Sequence, residues 1–265
     1  MKTINTLRKV SLATLLTFVL SFSSVFAQND TMYVMKNGTV VGQYNVNTEV
    51  DSVIFYKPTL EGNNPNITYG SITDIDGNTY KTVTIGTQTW MAENLKVTKY
   101  NDGIAIPNVT DNTAWRELTT GALCDYDNTP SNSETYGKLY NWHAVNTGKL
   151  CPTGWHVPSD AEWTELTDYL GGTSDAGGKL KETGTTHWNS PNTGATNETG
   201  FTALPGGYRY SSGTFRYVGD YGLWWSATES NASNAWSRSV GYSYSYVGRV
   251  SRDKELGFSV RCLRD

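Results

Sequence analysis

Between Cys151 and Leu166 the chain reads CPTGWHVPSDAEWTEL, which places a thiol, an imidazole, a hydroxyl and two carboxylates within sixteen residues. Those residue types suit nucleophilic or metal chemistry, but their spacing suits neither. His143, His156 and His187 are the only histidines, and none lies three or four residues from another His or Cys. There is no HExxH, CxxC or HxH, so zinc is not expected. Ser226 sits in WWSAT rather than in G-x-S-x-G, and no glycine-rich phosphate loop leads into a helix. A Cys–His couple would have to use Cys124, with nothing in the sequence to tie it to a histidine. Calcium is the one cofactor left open, through oxygens around Asp220, Glu229 and Asn231, types that also favour loops.

The same stretch has a structural reading. Ser159 and Glu162 form an S-x-x-E capping box, and Asp160 adds negative charge where a helix N-terminus favours it. Trp163, Leu166 and Leu170 follow at helical spacing, and Gly171-Gly172 ends the helix. These roles account for Ser159, Asp160 and Glu162 without a catalytic one.

The elements around this helix are short. Residues 1–27 read as a secretory signal peptide: Lys2, Arg8 and Lys9, then an apolar run, then Val25-Phe26-Ala27. No later apolar run is long enough to span a bilayer, so no membrane insertion of the mature chain is expected. The expected location is extracytoplasmic, in the periplasm, at the cell surface or secreted. Removing Lys2, Arg8 and Lys9 from the 21 basic residues leaves 18 against 25 acidic ones, a net charge of about −7. Such a chain does not attract nucleic acid.

Residues 28–57 read as a small β unit, with Asn37-Gly38 as a hairpin turn and Val50–Tyr56 as a further strand. Residues 58–70 are a polar linker, and residues 71–265 form the main domain. In it, Asp76-Gly77 turns a hairpin whose return strand is Tyr80–Ile85, broken at Gly86. ETYGKLYNWHAVNTG puts Tyr136, Leu139, Tyr140 and His143 or Ala144 on one face of a helix that stops near Gly148. From Gly200 onward the chain reads as short strands separated by turns. The expected core includes Trp155, Trp163, Leu166, Phe201, Leu204, Phe258 and Val260.

The 9 Trp and 17 Tyr leave two roles open, because bulky aromatics build cores and also stack on sugar rings. Loops on a rigid scaffold often carry recognition, and residues 206–253 are rich in aromatics. Tyr208, Tyr210, Tyr217, Tyr221 and Trp225, with Arg209, Arg216, Asp220 and Glu229 beside them, are the candidate ligand-binding residues. Tyr242, Tyr244 and Tyr246 alternate, so in a strand they share one face, and that face also suits core packing. Trp224 and Trp225 are adjacent; Trp225 is expected to point outward. Three cysteines allow three single pairings. A Cys151–Cys262 bridge would close a loop of about 110 residues and stabilise by roughly 4 kcal/mol on a chain-entropy estimate.

Six segments, GTQTWMAENLKVTKYNDG, YGKLYNWHAV, CPTGWHVPSDAEWTEL, NETGFTALPGGYR, GLWWSATES and GFSVRCLRD, occur in the order of the Fibrobacter succinogenes major paralogous domain, which the chain resembles from about Ile72 to Asp265. That family is extracytoplasmic and carries no established activity. The segments are similar, more distantly, to the sulfatase-modifying (formylglycine-generating) family. That similarity implies an α+β, C-type-lectin-like fold with two short helices, small antiparallel sheets and long ordered loops. It also implies the Cys151–Cys262 disulfide, with Cys124 free. The enzymes of that family need two cysteines close together near the C-terminus, where this chain has only Cys262, so their activity is not expected here. The expectation is a non-catalytic surface or adhesion module that binds glycan or a surface protein. An enzyme of that wider family using Cys124 or Cys262, and a purely structural surface protein, are the alternatives.

Overall fold

The computed structural model describes residues 31–36, 39–45 and 67–265. The expected signal peptide, the Val50–Tyr56 strand and most of the expected linker lie outside the described residues. β1 (Thr31–Lys36) and β2 (Thr39–Asn45) pair antiparallel, with Lys36 opposite Thr39, as the Asn37-Gly38 turn signal requires. They belong to one compact unit; every later element belongs to a second, beginning at Thr59.

The second unit is α+β, with few helices and several small antiparallel sheets. Its largest sheet has five strands in the order β3 (Gly70–Thr73), β4 (Thr79–Ile85), β5 (Gln88–Met91), β14 (Leu263–Arg264), β8 (Trp155–His156). The hairpin between β3 and β4 turns at Gly77, whose φ of 86° suits glycine. Val83 and Ile85 on β4 are buried, as their alternation predicts. The chain's last strand sits between β5 and β8, so the sheet closes only when the end of the domain returns to its start.

The remaining sheets are a three-stranded meander of β11 (Tyr221–Glu229), β12 (Asn234–Gly241) and β13 (Gly248–Asp253), and two pairs, β6 (Leu123–Cys124) with β7 (Leu139–Tyr140) and β9 (Gly206–Arg209) with β10 (Phe215–Val218). Five helices are present rather than the two expected. α1 (Asn112–Arg116), α2 (Pro130–Tyr136) and α3 (Trp142–Val145) are short; α4 (Asp160–Tyr169) and α5 (Thr173–Leu180) are longer. The single helix expected across ETYGKLYNWHAVNTG is instead α2, β7 and α3. Gly137, at φ 74°, ends α2, and a Cβ there would fall 2.6 Å from the Asn94 Cβ and 2.8 Å from the Leu95 carbonyl. A close backbone approach, invisible to helical periodicity, overrides the pattern.

α4 starts at the expected capping box. The Ser159 hydroxyl accepts from the Glu162 N–H, and the Glu162 carboxylate accepts from the Ser159 N–H. Its Trp163 and Leu166 enter an aromatic cluster with Trp90, Phe201 and Trp224, whose ring centroids lie 4.7–6.3 Å apart. Phe258 and Val260 are buried as expected; Trp155 and Leu204 are only half-buried.

β11 separates this cluster from a second one. Trp224 faces the first; Trp225 packs on Phe258 at 4.4 Å, and its Nε1 donates to the Tyr140 carbonyl. Trp225 is 0% exposed, so it does not point outward. Adjacent strand residues do face opposite sides, but here both sides are core.

Cys151 and Cys262 form a disulfide with a Cα separation of 5.9 Å, and Cys124 is a buried free thiol. The bridge ties the last strand to the approach to α4 across 111 residues. Cys151→Ala or Cys262→Ala should lower unfolding free energy by roughly 4 kcal/mol, read from urea melts. Cys124→Ala, which leaves a one-atom void, should cost about 1 kcal/mol.

Candidate functional site

β9 explains how one short segment serves two purposes. Its alternation sends Tyr208 and Tyr210 to one side and Arg209 to the other. Arg209 is fully buried over Trp115 at 4.4 Å and Phe215 at 4.9 Å. Its guanidinium donates to the carbonyls of Gly213, Val109 and Thr110 and to the Asn112 side chain. It therefore holds the loop before α1 and is unavailable to a ligand, contrary to expectation.

The tyrosines on the outer side make a continuous strip. Tyr210 lies 6.5 Å from Tyr208, Tyr208 5.9 Å from Tyr217, Tyr217 5.4 Å from Tyr221, and Tyr221 6.2 Å from Tyr244. Tyr244 and Tyr246 stack at 3.8 Å with planes 7° apart. Tyr210, Tyr217 and Tyr246 are exposed at 41%, 46% and 47%, while Tyr208, Tyr221 and Tyr244 are half-buried beneath them. Tyr208 rests edge-on against Phe258, which seats the strip on the core. The Arg216 guanidinium lies 5.5 Å from the Tyr210 ring. Burial raises the Tyr208 phenol pKa, Tyr217 adds to the rise, and Arg252 and Arg216 draw it partly back. Tyr208 is therefore neutral at physiological pH.

Two backbone features present these rings. Tyr217 has φ 65°, a left-handed conformation that is a clear outlier for a bulky residue and is held in place only by its surroundings. Tyr242, Tyr244 and Tyr246 do not lie in a strand, as alternation suggested. β12 stops at Gly241, and the three occupy the loop before β13. That loop hangs on Lys181. Fully buried, its ammonium donates to the carbonyls of Thr193, Gly241 and Tyr244 at 2.8–2.9 Å. Burial lowers the Lys181 pKa to about 8.

The other candidate residues are elsewhere. Asp220 accepts from the Asn189 amide, and Glu229 pairs with Lys254 at 2.6 Å. The two carboxylates sit just before and at the end of the nine-residue β11, roughly 25–30 Å apart at strand rise. Calcium–oxygen bonds of about 2.4 Å cannot span that separation, so Asp220 and Glu229 cannot share one ion. The Asn231 side chain instead accepts from Ser233 and Asn234 N–H groups. Among the described residues, no group of three or more His, Cys, Asp or Glu side chains could hold a metal. Burial pushes the Cys124 thiol up to about 12.

The Cys151–Leu166 stretch is scaffold throughout. Asp160 binds Arg238 at 2.6 Å and Arg249 at 2.8 Å, tying α4 to β12 and β13. His156 bridges Glu162 at 2.9 Å and Asp265 at 2.6 Å. Burial alone would lower its pKa, but the two carboxylates outweigh burial and hold the imidazole above its ordinary value. A raised folded pKa stabilises fully below the unfolded value, about 6.5, and the contribution is lost as pH rises through the folded pKa. The stability difference between wild type and His156→Gln, from urea midpoints, should therefore be widest below about pH 6.5 and should narrow as pH rises above that.

No curated protein matches the chain, and no solved structure does. A match to a protein family, described as the Fibrobacter succinogenes major domain, covers residues 83–264. That span takes in all five helices, the strands from β5 onward, the disulfide and the tyrosine strip. The chain belongs to the Fibrobacter succinogenes major domain family.

Proposed function

We propose that this protein is a non-catalytic, extracytoplasmic binding module that takes a glycan on its tyrosine strip. The observation that carries this reading is the unbroken run Tyr210, Tyr208, Tyr217, Tyr221, Tyr244, Tyr246, with three rings exposed and the others packed below them. The faces of these rings are electron-rich and attract the weakly positive C–H faces of a sugar, while the phenols supply hydrogen bonds. The strained φ of Tyr217 supports the same reading, since a structure retains such strain where a side chain has a job at that position.

The scaffold is read as lectin-like, with a distant kinship to the sulfatase-modifying family. Small sheets and short helices that hold long loops support it. The disulfide suits an oxidising compartment, in keeping with the signal-like start. Cysteine chemistry is disfavoured, because Cys262 is bonded and the Cys124 thiol is buried with its pKa pushed up to about 12. A surface protein is the other partner class, and it would meet the same rings.

A glycan array should give binding to at least one oligosaccharide. Tyr210→Ala and Tyr246→Ala should each weaken it about tenfold, the loss expected for one exposed aromatic anchor. Tyr217→Gly separates stability from binding. Glycine relieves about 1–2 kcal/mol of left-handed strain and gives back about 0.5–1 kcal/mol in chain entropy, so the melt should hardly move while binding falls. Array silence together with capture of a specific protein partner would replace the glycan reading.

A further inference from the structure

A cavity that shares no lining residue with the tyrosine strip lies where four stretches of chain meet. It encloses about 180 Å³ and is lined by Tyr69, Lys81, Glu93, Lys96, Glu182 and Thr202, with Asn94, Thr135 and Leu204 completing the wall. At about 30 Å³ per water it has room for roughly six, the size of one small polar molecule.

Its charges are unusually free. Among the described residues, no carboxylate lies within ion-pair distance of the Lys81 or Lys96 ammonium. Lys81 sits 5.4 Å from the centre of the Tyr69 ring, and Lys96 donates only to the Glu134 carbonyl. The acids are better occupied. Glu93 accepts from the Lys81 N–H at 2.6 Å, and both Glu182 oxygens lie within 3.0 Å of His187 Nδ1. The buried Arg261, close enough to feel the charge of Glu93, lies behind the wall and donates to Thr202. The balance at the cavity is therefore positive, with carboxylate oxygens and hydroxyls beside it.

The frame is rigid. The Tyr80 hydroxyl accepts from the Lys96 N–H at 2.9 Å, and the Ala92 N–H donates to the Lys81 carbonyl at 2.8 Å. Thr202 has φ 53°, an outlier for a β-branched residue, and strain of that kind gathers at ligand sites.

We propose that this cavity binds a small carboxylate that also carries hydroxyl or ammonium donors. Lys81 and Lys96 take the carboxylate. Glu93 and Thr202 accept from its donors, and Tyr69 and Leu204 cover its apolar edge. An acidic monosaccharide and a free amino acid share this chemistry.

The test is calorimetric titration of the whole chain with sodium glucuronate, with alanine and with glucose, alongside Lys81→Met and Lys96→Met. Lys149→Met, at a lysine paired with Asp102 elsewhere, is the control. Glucuronate or alanine should bind, glucose should not, and each cavity variant should weaken binding about tenfold while Lys149→Met leaves it unchanged. Glucuronate alone would mark a sugar source, and alanine alone an amino-acid source. In wild-type protein, amide shifts on titration should centre on Glu93, Asn94 and Thr202, which keeps the proposal testable if a variant misfolds. No binding of either carboxylate up to about 10 mM, binding indifferent to both lysines, or shifts confined to the tyrosine strip would overturn it. Failure of the tyrosine variants on the array would leave this result untouched.

Discussion

A buried guanidinium holds the main domain together. Arg261, 1% exposed, sits one residue before the disulfide cysteine and lies over Phe201 at 4.1 Å. It donates to the side-chain oxygen of Asn94 and to the carbonyls of Phe201 and Thr202. The same Asn94 oxygen accepts from Trp224 Nε1, and the Asn94 amide donates to the Tyr136 carbonyl and to Ser259. One arginine–asparagine pair thus joins the end of the chain, the turn after β5, the end of α2, the loop before β9 and the central strand β11. Burial lowers the Arg261 pKa to about 9. A charge kept at that cost is retained only where every donor is matched, and removing one partner leaves the rest unpaired.

The domain repeats this device because its elements are short. A strand of two residues or a helix of four cannot hold a loop by its own backbone bonds, so buried cations capture loop carbonyls instead. Arg209 takes those before α1, Lys181 those around the tyrosine loop, and Arg261 those at Thr202. Each also meets an aromatic face, Trp115, Trp188 and Phe201 respectively, and that contact offsets part of the desolvation cost. The outcome is a set of ordered loops that carry exposed tyrosines at one place and free lysines at another. Loops fixed in this way lose little entropy on binding, the usual condition for recognition by irregular chain.

Local signals in the chain were strong where the physics is local. The capping box at Ser159, the turns at Gly77 and Gly86 and the buried alternation of β4 involve neighbours within a few residues. The tyrosines of the candidate strip could be named from their density between residues 206 and 246. Arg209 was misassigned because a strand between two exposed tyrosines turns its middle residue inward, and only strand register shows that. Trp225 was misassigned because a strand with one outward face and a strand sandwiched between two clusters have the same local spelling. Nothing near Lys81, Glu93, Lys96 or Glu182 marks a cavity, since they are separated by up to about a hundred residues and meet only by packing.

By itself, then, the sequence determined the family, the start of α4, the hairpins and the aromatic wealth of the C-terminal third, because each is a property of a short segment or of residue types in order. The tertiary structure alone decided which side of each strand is core, that Gly137 splits an apparent helix, that Asp220 and Glu229 stand at opposite ends of β11, and that six tyrosines touch in series. Those outcomes depend on contacts between residues far apart in the chain. Their energies come from excluding water between elements that no short stretch of sequence contains.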